Sequence, residues 1–246
     1  MTVARENSSY GLKEDWDKVQ RILEEIIPVY DKTNRYISLG ADLKLRKRGI
    51  DLLVDSTGKA NITTLDLGSG TGKMAIELAS RVPNGNKSIT MLDPIAKMAQ
   101  VAKLRTGGDP VIAMFERLPF REGSFEAATA GFSIRDARDL NEAIIEVSKV
   151  LKQGGKFLVV DLAKPDSKLR SGAIMFYWDI FAPTIAFISS GRLGLKFGAL
   201  ARTFRRLPRI TEFITLLKDA GFNVLKMEQY LIGGSCIILL EKARNV

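Results

Sequence analysis

A glycine-rich loop that directly follows a short apolar strand narrows the possible folds of this chain more than any other motif in it. Residues 62–67 (ITTLDL) form the apolar run, and Gly68, Gly70 and Gly72 follow at alternate positions. In the next segment, 71–81, apolar residues recur at helical spacing. A buried strand that enters a helix through glycines is typical of a nucleotide-binding loop, because glycine lets the backbone approach a ligand and present its amides.

Strand and helix patterns alternate along the chain beyond this loop. Further strands are predicted at 88–92, 110–114, 126–132 and 156–162, and helices at 94–105, opened by Pro94, and at 139–151. A helix at 209–220 and a strand hairpin at 222–230 and 233–241 follow, and two helices, 12–27 and 41–55, precede the alternating part. The alternation predicts an α/β fold with a parallel sheet that is covered by helices on both faces.

The residue types that are scarce in this chain limit its chemistry. Its 246 residues include no histidine and one cysteine, Cys236. Histidine-based triads, histidine-ligated metals and cysteine-cluster metal sites are therefore excluded, and no metal site is predicted. The net charge of +9 favours anionic partners, namely nucleic acid, acidic lipid or phosphorylated metabolites, or simply a basic surface. The polar N-terminus has no apolar signal segment, so a cytoplasmic protein is expected.

The spacing within the loop distinguishes between nucleotide ligands. Lys73 stands where the dinucleotide fingerprint G-x-G-x-x-G needs its third glycine, and no GK[ST] of a P-loop is present. Asp66 precedes the loop, and Asp93, at the end of the next strand, can accept hydrogen bonds from both hydroxyls of a ribose. Together these features indicate S-adenosylmethionine as the cofactor. A nicotinamide enzyme and a purely structural glycine turn are the alternatives.

Several motifs resemble those of the ubiquinone/menaquinone biosynthesis C-methyltransferases, a family of class I S-adenosylmethionine-dependent enzymes. The matching stretches are 30–34 (YDKTN), 38–40 (SLG), 65–72 (LDLGSGTG), 118–125 (LPFREGSF), 132–136 (FSIRD), 151–155 (LKQGG) and 164–165 (KP). The resemblance implies methylation of a quinone or hydroquinone ring carbon. It also implies a Rossmann-like, seven-stranded, mostly parallel sheet whose last strand is antiparallel. An N-terminal helical cap (1–57) would precede the core (58–246), with a lid-like helical insert (165–208) between strands 5 and 6.

Departures from the family pattern concern the substrate more than the cofactor. The family's asparagine after the arginine is Asp136 here, and its usual polar residue at the end of the third strand is Met114. Two family tyrosines become Phe197 and Ala199, and a family serine becomes Thr203. These changes leave the cofactor and the reaction class intact, and they bear on the exact substrate.

The resemblance and the chemistry of methyl transfer together suggest roles for individual residues. Cofactor contacts are expected from Asp66, Gly68, Gly70, Gly72, Asp93, Pro94, Met114, Phe115, Glu116 and Phe132. Arg135 would stabilise the oxyanion that develops on the ring, and Asp136, Asp161 or Tyr30 would accept or relay a proton, with a carboxylate acting through water preferred. A surface ion pair of Arg135 with Asp136 or Asp139 is the alternative. The substrate pocket is expected to include Tyr177, Phe181, Phe197 and Thr203.

An apolar segment beside a basic one suggests contact with a membrane. Residues 172–190 hold five aromatic residues and one charge, Asp179, and Pro183 near the middle argues against a span. A lid, an interfacial element or plain core packing all fit this segment. Residues 192–209 carry six basic and no acidic side chains, and a second basic cluster lies at 44–48. These clusters predict peripheral docking on an anionic membrane, at its inner face, that supplies a prenylated quinone-like substrate, or else a solvated basic face.

Two other functions remain alternatives. The net charge would suit an RNA methyltransferase, but residues 131–134 (GFSI) replace the (N/D)-P-P-(Y/F) tetrad of amino-group methylating enzymes. Cys236 lies in the last predicted strand, where it could not act as the nucleophile of an RNA cytosine methyltransferase, so nucleic acid is not an expected partner. A methyltransferase for another apolar small molecule or lipid, or a non-catalytic binding protein on this fold, are the further alternatives.

Overall fold

The computed structural model describes residues 10–58, 62–82 and 88–244, without the side chains of 199–201. The strands are β1 (Thr64–Leu67), β2 (Ile89–Leu92), β3 (Phe125–Gly131), β4 (Leu151–Leu162), β5 (Phe222–Tyr230) and β6 (Ser235–Lys242). The helices are α1 (Trp16–Ile37), α2 (Ala41–Thr57), α3 (Lys73–Ala79), α4 (Ala96–Thr106), α5 (Leu140–Val150), α6 (Lys168–Phe176), α7 (Ala182–Leu195), α8 (Gly198–Arg206) and α9 (Ile210–Asp219). A π-helical turn, Tyr177–Phe181, joins α6 to α7.

The six strands form one sheet in the order β2-β1-β3-β4-β6-β5. The pairs among β2, β1, β3 and β4 are parallel, whereas β6 runs antiparallel to both β4 and β5. The predicted α/β class with an antiparallel last strand is therefore confirmed. It places the carboxyl ends of β1, β2 and β3 at one edge of the sheet, where ligands of open α/β folds bind.

The predicted strand at 110–114 is wrong, so the described residues form six sheet strands rather than seven. This segment adds only an isolated bridge between Val111 and Leu92, with Val111 N donating to the Met91 carbonyl at 2.8 Å. Pro110 has no amide hydrogen for a ladder, and Ile112 is largely exposed. An edge segment with these two residues cannot extend the pairing.

Helices cover both faces of the sheet. In β4, Phe157 and Val159 pack with α5 and α9, while Leu158 and Val160 pack with α2 and α3. Successive side chains of a strand point to opposite faces, so a strand buried on both faces has to be apolar at every position. Gly49 of α2 lies so close to the sheet that a Cβ there would be 2.6 Å from Val160 Cγ2. The second predicted N-terminal helix is thus one of the layers that cover the sheet.

A further apolar core joins α1 to the helical insert. Leu23, Ile26, Trp178, Phe197 and Phe204 are among its buried side chains. The prediction that the first helix ends at residue 27 is wrong, because α1 continues through Pro28 to Ile37. Packing against the insert offsets the hydrogen bond that a proline inside a helix removes.

One helical run in the described residues, Lys168–Leu195, is long and apolar enough by length and composition to cross a membrane. Its most apolar window is 28% buried within the protein. Gly191 has a non-helical backbone (φ 59°, ψ −143°) and interrupts the run. The insert is therefore helical, as the sequence predicts, and one side of it packs on α1.

Candidate active site

A cavity of about 390 Å³ lies between the glycine loop, the two N-terminal helices and the insert. Six residues that the sequence singles out meet in its wall: Tyr30, Gly68, Gly70, Phe132, Arg135 and Tyr177. Apolar side chains, among them Leu45, Leu162, Ile174 and Trp178, form most of the remaining lining. The cavity can thus hold an apolar molecule next to the glycine loop.

The loop between β1 and α3 presents backbone to this cavity. Gly70 has a φ of 55°, and a Cβ on it would meet nothing closer than the Gly68 carbonyl oxygen at 3.9 Å. Gly68 also has a positive φ, but a Cβ there would lie 2.5 Å from Ser133 Cβ and 2.8 Å from the Phe115 ring. Glycine is therefore required at Gly68 by packing, while the open space above Gly70 leaves room for a ligand.

The third glycine of the loop, Gly72, faces helix α4 instead of the cavity. Gly72 precedes α3, and a Cβ on it would lie 3.1 Å from Thr106 Cγ2. A side chain at Gly72 would thus lie between two helices, and the expected contact of its backbone with the cofactor stays a prediction. Pro94 likewise lies one residue before the N-cap of α4, Ile95, and outside the lining of the cavity.

Asp66 lies buried at the end of β1 with unused hydrogen-bonding capacity. Its Oδ1 accepts from Thr129 Oγ1 at 2.8 Å, whereas Oδ2 has no hydrogen-bond partner among the described residues. Burial raises the pKa of Asp66 to about 7. The buried Ser69 hydroxyl in the neighbouring loop also has no partner. Such orphaned acceptors beside the glycine loop fit a ligand that brings an ammonium group, as the methionine end of S-adenosylmethionine does.

Asp93, at the end of β2, holds the glycine loop in place. Its Oδ2 accepts from Gly70 N at 2.8 Å, and its Oδ1 accepts from Ile95 N at 2.8 Å. Burial raises the pKa of Asp93 to about 6. Each carboxylate oxygen can accept a second hydrogen bond, so the expected ribose contact is compatible with these two bonds. Asp93 itself lies behind the loop and outside the lining of the cavity.

The three residues expected to border the adenine also lie outside the cavity lining. Phe115 is buried in the main core below Gly68, and Met114 is half-buried. Glu116 Oε1 accepts from Asp139 N at 2.9 Å, while its buried Oε2 has no hydrogen-bond partner. Among these three residues, Glu116 has a side-chain oxygen, Oε2, that can still accept a hydrogen bond from a ligand.

Arg135 is placed by a short 3₁₀ turn, Ile134–Asp136, directly after β3. Its side chain is 4% exposed and donates through Nη1 to the buried Asp161, and its Nε lies 3.7 Å from Asp136 Oδ1. The alternative of a solvated surface pair is therefore wrong. Asp139 instead caps α5 by accepting from Asn141 N and Glu142 N.

Burial and charge act in opposite directions on this group of ionisable residues. Burial alone would lower the pKa of Arg135, but the carboxylates of Asp161 and Asp136 raise it above its usual value. Burial raises the pKa of Asp136 to about 6, against the effect of the Arg135 charge. Burial also raises the pKa of the Tyr30 phenol. The cation at the cavity wall is thus permanent, and the Asp136 carboxyl behind it can take up a proton near neutral pH.

Sequence reasoning missed Arg46 as a residue of the cavity. It was grouped with a surface basic cluster, but the structure places its guanidinium 4.9 Å from the centroid of the Phe132 ring. Arg46 Nη1 donates to the Gly131 carbonyl at 3.0 Å, and the buried Nε has no partner. The helical spacing of the buried residues Leu45, Gly49 and Ile50 is the signal that could have placed Arg46 inward.

Asp31, in the Y-D-x-x-N segment, joins α1 to the glycine loop. It accepts from Thr71 Oγ1 at 2.9 Å, lies 3.3 Å from Lys73 Nζ and pairs with Arg105. Asn34, one helical turn further on, lines the cavity. The segment thus positions one wall of the cavity relative to the loop.

Tyr177 is the member of the expected substrate pocket that lines the cavity, and its hydroxyl donates to the Ile37 carbonyl. Phe181 is half exposed and stacks on Tyr177, while Phe197 is buried and stacks on Tyr30 with ring centroids 6.2 Å apart. Thr203 is buried in α8. Phe181, Phe197 and Thr203 thus lie outside the lining of the cavity, and their expected contact with the substrate stays a prediction. The side chain of Ala199 lies outside the described residues.

A comparison with protein families matches residues 10–241 to the model of the ubiE/COQ5 methyltransferase family. The chain belongs to this family. A demethylmenaquinone methyltransferase of Thermotoga maritima is 30% identical over 206 residues, covering 83% of this chain and 87% of the relative. A ubiquinone/menaquinone biosynthesis C-methyltransferase of Geobacter sulfurreducens is 28% identical over 248 residues, covering 97% of this chain and 93% of the relative.

The fold of this ubiE/COQ5 family member also matches a solved methyltransferase structure. An S-adenosylmethionine-dependent methyltransferase of Thermotoga maritima superposes on this chain with a TM-score of 0.65 at 20% identity. The match covers 91% of this chain and 99% of the solved one. The protein is thus a S-adenosylmethionine-dependent methyltransferase on the class I fold. Gly68 and Gly70 line the cavity, whereas Asp66, like Asp93, lies outside its lining.

Proposed function

We propose that this enzyme methylates a ring carbon of a hydroquinone that carries a long apolar side chain, as a step of quinone biosynthesis. The observation that carries the proposal is the shared cavity, where the glycine loop, two arginines and an apolar aromatic wall meet. Two relatives, a demethylmenaquinone methyltransferase and a C-methyltransferase of ubiquinone/menaquinone biosynthesis, support the same substrate class.

S-adenosylmethionine, when bound, supplies an electrophilic methyl group. Residues of this chain that would hold it are the backbone of Gly68 and Gly70, the free oxygen of Asp66 for the ammonium, and Asp93 for the ribose. Because Asp93 already fixes the Gly70 amide, the same carboxylate would link the loop conformation to the cofactor. The enzyme's contribution at this step is alignment of the two reactants and exclusion of water.

The ring has to become more nucleophilic before its carbon can accept a methyl group. A phenolic hydroxyl has a pKa of about 10, so the protein must favour its ionised form. Arg135 at the cavity wall would stabilise the oxygen's negative charge. Asp136, whose pKa burial raises to about 6, would take the hydroxyl proton through water. The methylated ring carbon would afterwards release its own proton to water, and the C–H electron pair would restore the aromatic ring.

The apolar wall explains why a lipid-like substrate is favoured over a polar one. Ile174, Tyr177 and Trp178 of the insert line the cavity together with Phe132, and the exposed side chains of Leu39, Leu231 and Ile232 line it as well. Burying an apolar side chain of the substrate against such a surface is favourable by about 25 cal/mol per Å². A charged nucleic acid strand would gain little there.

The experiment is a methylation assay with purified enzyme, labelled S-adenosylmethionine and a demethylated naphthohydroquinone with a short prenyl tail. We expect a product with one added methyl on a ring carbon, identified by mass spectrometry and NMR. Arg135→Ala should lower the rate by about a hundredfold. The exposed Arg138, three residues further on, is the matched control, and Arg138→Ala should retain nearly full activity.

Methylation of oxygen instead of carbon would overturn the proposal, as would methylation of RNA and not of the hydroquinone. Because the buried Arg135 also supports the fold, Arg46→Ala is a second variant. Loss of activity in Arg46→Ala with an unchanged unfolding transition would tie the loss to the cavity.

A further inference from the structure

A second, open groove lies beside the mouth of the cavity, between the end of α1 and the first turns of α2. Lys32, Arg35 and Tyr36 line it from α1, Lys44 and Lys47 line it from α2, and Leu39 lies between the two helices. Leu39 also borders the cavity itself, so the groove and the cavity share one rim.

The groove carries positive charge that the protein does not neutralise. Lys32, Arg35, Lys44 and Lys47 are exposed, and none forms an ion pair within the part of the chain that the structure describes. The acidic residue of the groove, Asp31, is already neutralised by Lys73 and Arg105. An anionic surface would therefore bind here without competing with internal pairs.

Lys44 and Lys47 belong to the smaller of the two basic clusters that the sequence predicts to contact lipid, and the larger cluster behaves differently. In 192–209, Arg205 pairs with Asp179 at 2.5 Å, Arg206 pairs with Asp15, and Lys196 pairs with Glu25. These pairs attach the insert helices to one another and to the N-terminal part of the chain. Three of the six basic side chains of 192–209 are thus paired within the protein, whereas the four basic side chains of the groove form no ion pair with the described residues.

Three large apolar side chains project at the mouth of the cavity. Leu39, Leu231 and Ile232 are 80%, 56% and 62% exposed, and all three line the cavity. Their φ angles are 52°, 52° and 55°, a left-handed conformation that side chains of this kind adopt rarely and at a cost. A strained backbone that keeps apolar side chains exposed to water indicates a surface that binds an apolar partner.

We propose that the groove and these three side chains form the surface with which the enzyme docks on an anionic membrane. Lys32, Arg35, Lys44 and Lys47 would contact lipid phosphates, while the three apolar side chains would enter the boundary of the acyl chains. The inference rests on the proposed function, because docking in this orientation would open the cavity toward the layer that dissolves a prenylated substrate. Tyr36 offers an exposed ring to a base, but the three exposed aliphatic side chains at the mouth favour lipid over single-stranded nucleic acid, which proteins hold by stacking successive bases on aromatic rings.

The test is co-sedimentation of the purified enzyme with vesicles of phosphatidylcholine, with or without 30% phosphatidylglycerol. We expect binding to the acidic vesicles at low salt, release at high salt, and weak binding to the neutral ones. A basic side chain near an anionic surface contributes about a fivefold gain in affinity. The double variant Lys44→Glu/Lys47→Glu should therefore lose at least tenfold in affinity, and Leu39→Ser should weaken binding to acidic vesicles at low salt.

The matched control is Arg117→Glu/Arg121→Glu, which changes the net charge equally at two exposed residues away from the groove. This control should bind acidic vesicles within about twofold of the wild type, and Lys44→Glu/Lys47→Glu should keep cofactor affinity and activity on a detergent-dispersed substrate. Equal binding by both double variants, or no binding by the wild type at low salt, would overturn the proposal. Loss of binding to an RNA oligomer in the groove variant, with no vesicle binding by the wild type, would assign the groove to nucleic acid. Vesicle binding without hydroquinone methylation would leave docking intact and refute only the proposed function.

Discussion

Replacing Asp161 by asparagine should show how much the buried ion pair of Arg135 matters to the fold. The side chains of Arg135 and Asp161 are 4% and 2% exposed, so neither can be hydrated when the other is lost. Asp161 also accepts from the Leu162 amide at 2.7 Å, a bond that an asparagine oxygen can retain. The Asp161→Asn variant therefore removes chiefly the charge that balances the guanidinium.

The expected cost follows from what remains around Arg135. Removing one partner of a buried ion pair costs about 3–5 kcal/mol, because the other charge stays buried without compensation. Asp136 Oδ1, 3.7 Å from Arg135 Nε, supplies part of that compensation. We therefore expect a loss of about 3 kcal/mol, a large share of the roughly 5–15 kcal/mol by which proteins are usually stable.

Urea unfolding of the wild type and variants measures this loss as a change in the free energy of unfolding. The double variant Arg135→Met/Asp161→Asn should recover most of the loss, since it leaves no unpaired buried charge. As a control, Asp109→Asn removes an exposed pair with Lys103 and should cost less than about 1 kcal/mol. A cost below about 1 kcal/mol for Asp161→Asn, or a double variant as unstable as the two single variants added together, would refute this reasoning.

Three further predictions concern the cofactor and the cavity. Asp93→Ala should weaken S-adenosylmethionine binding at least tenfold, as measured by calorimetry. The variant loses a charged hydrogen bond, which costs about 1.5–3 kcal/mol, and the Gly70 amide loses its acceptor. Unchanged affinity would contradict this prediction. Burial raises the pKa of Asp66 to about 7, so its carboxyl is partly protonated at pH 6.5, and a bound ammonium group should drive that proton off. Calorimetry in buffers of different ionisation enthalpy should detect this release in the wild type and not in Asp66→Asn; equal release in both would be evidence against it. Arg46→Ala should reduce kcat by about a hundredfold, whereas Arg48→Ala on the same helix, which breaks a pair with Glu228 of β5, should stay within about twofold.

Much of the fold and of the cofactor loop could be predicted from the chain alone. Apolar runs, helical spacing and the glycines at 68 and 70 reflect conformational preferences of residues that are close together in the sequence. These preferences do not depend on the tertiary structure. Asp66 and Asp93 could be placed for the same reason, since each follows a predicted strand, and parallel strands bring their carboxyl ends to one edge. The edge segment at Val111 was the exception, because whether a short apolar run pairs depends on a partner that is distant in the chain.

Tertiary structure alone decided which side chains meet at the cavity. Arg135 pairs with Asp161 of the next strand. Arg46 belongs to the basic cluster at 44–48, but the folded protein places its guanidinium over the Phe132 ring. Pro28 predicts a helix end, yet α1 continues past it because packing on the insert outweighs one lost hydrogen bond. Periodicity tells which residues share a face, but the element that covers the face is set by how helices and sheet pack together. For that reason the chain specifies its methyl-donor loop locally, while the wall for the methyl acceptor exists only in the folded protein.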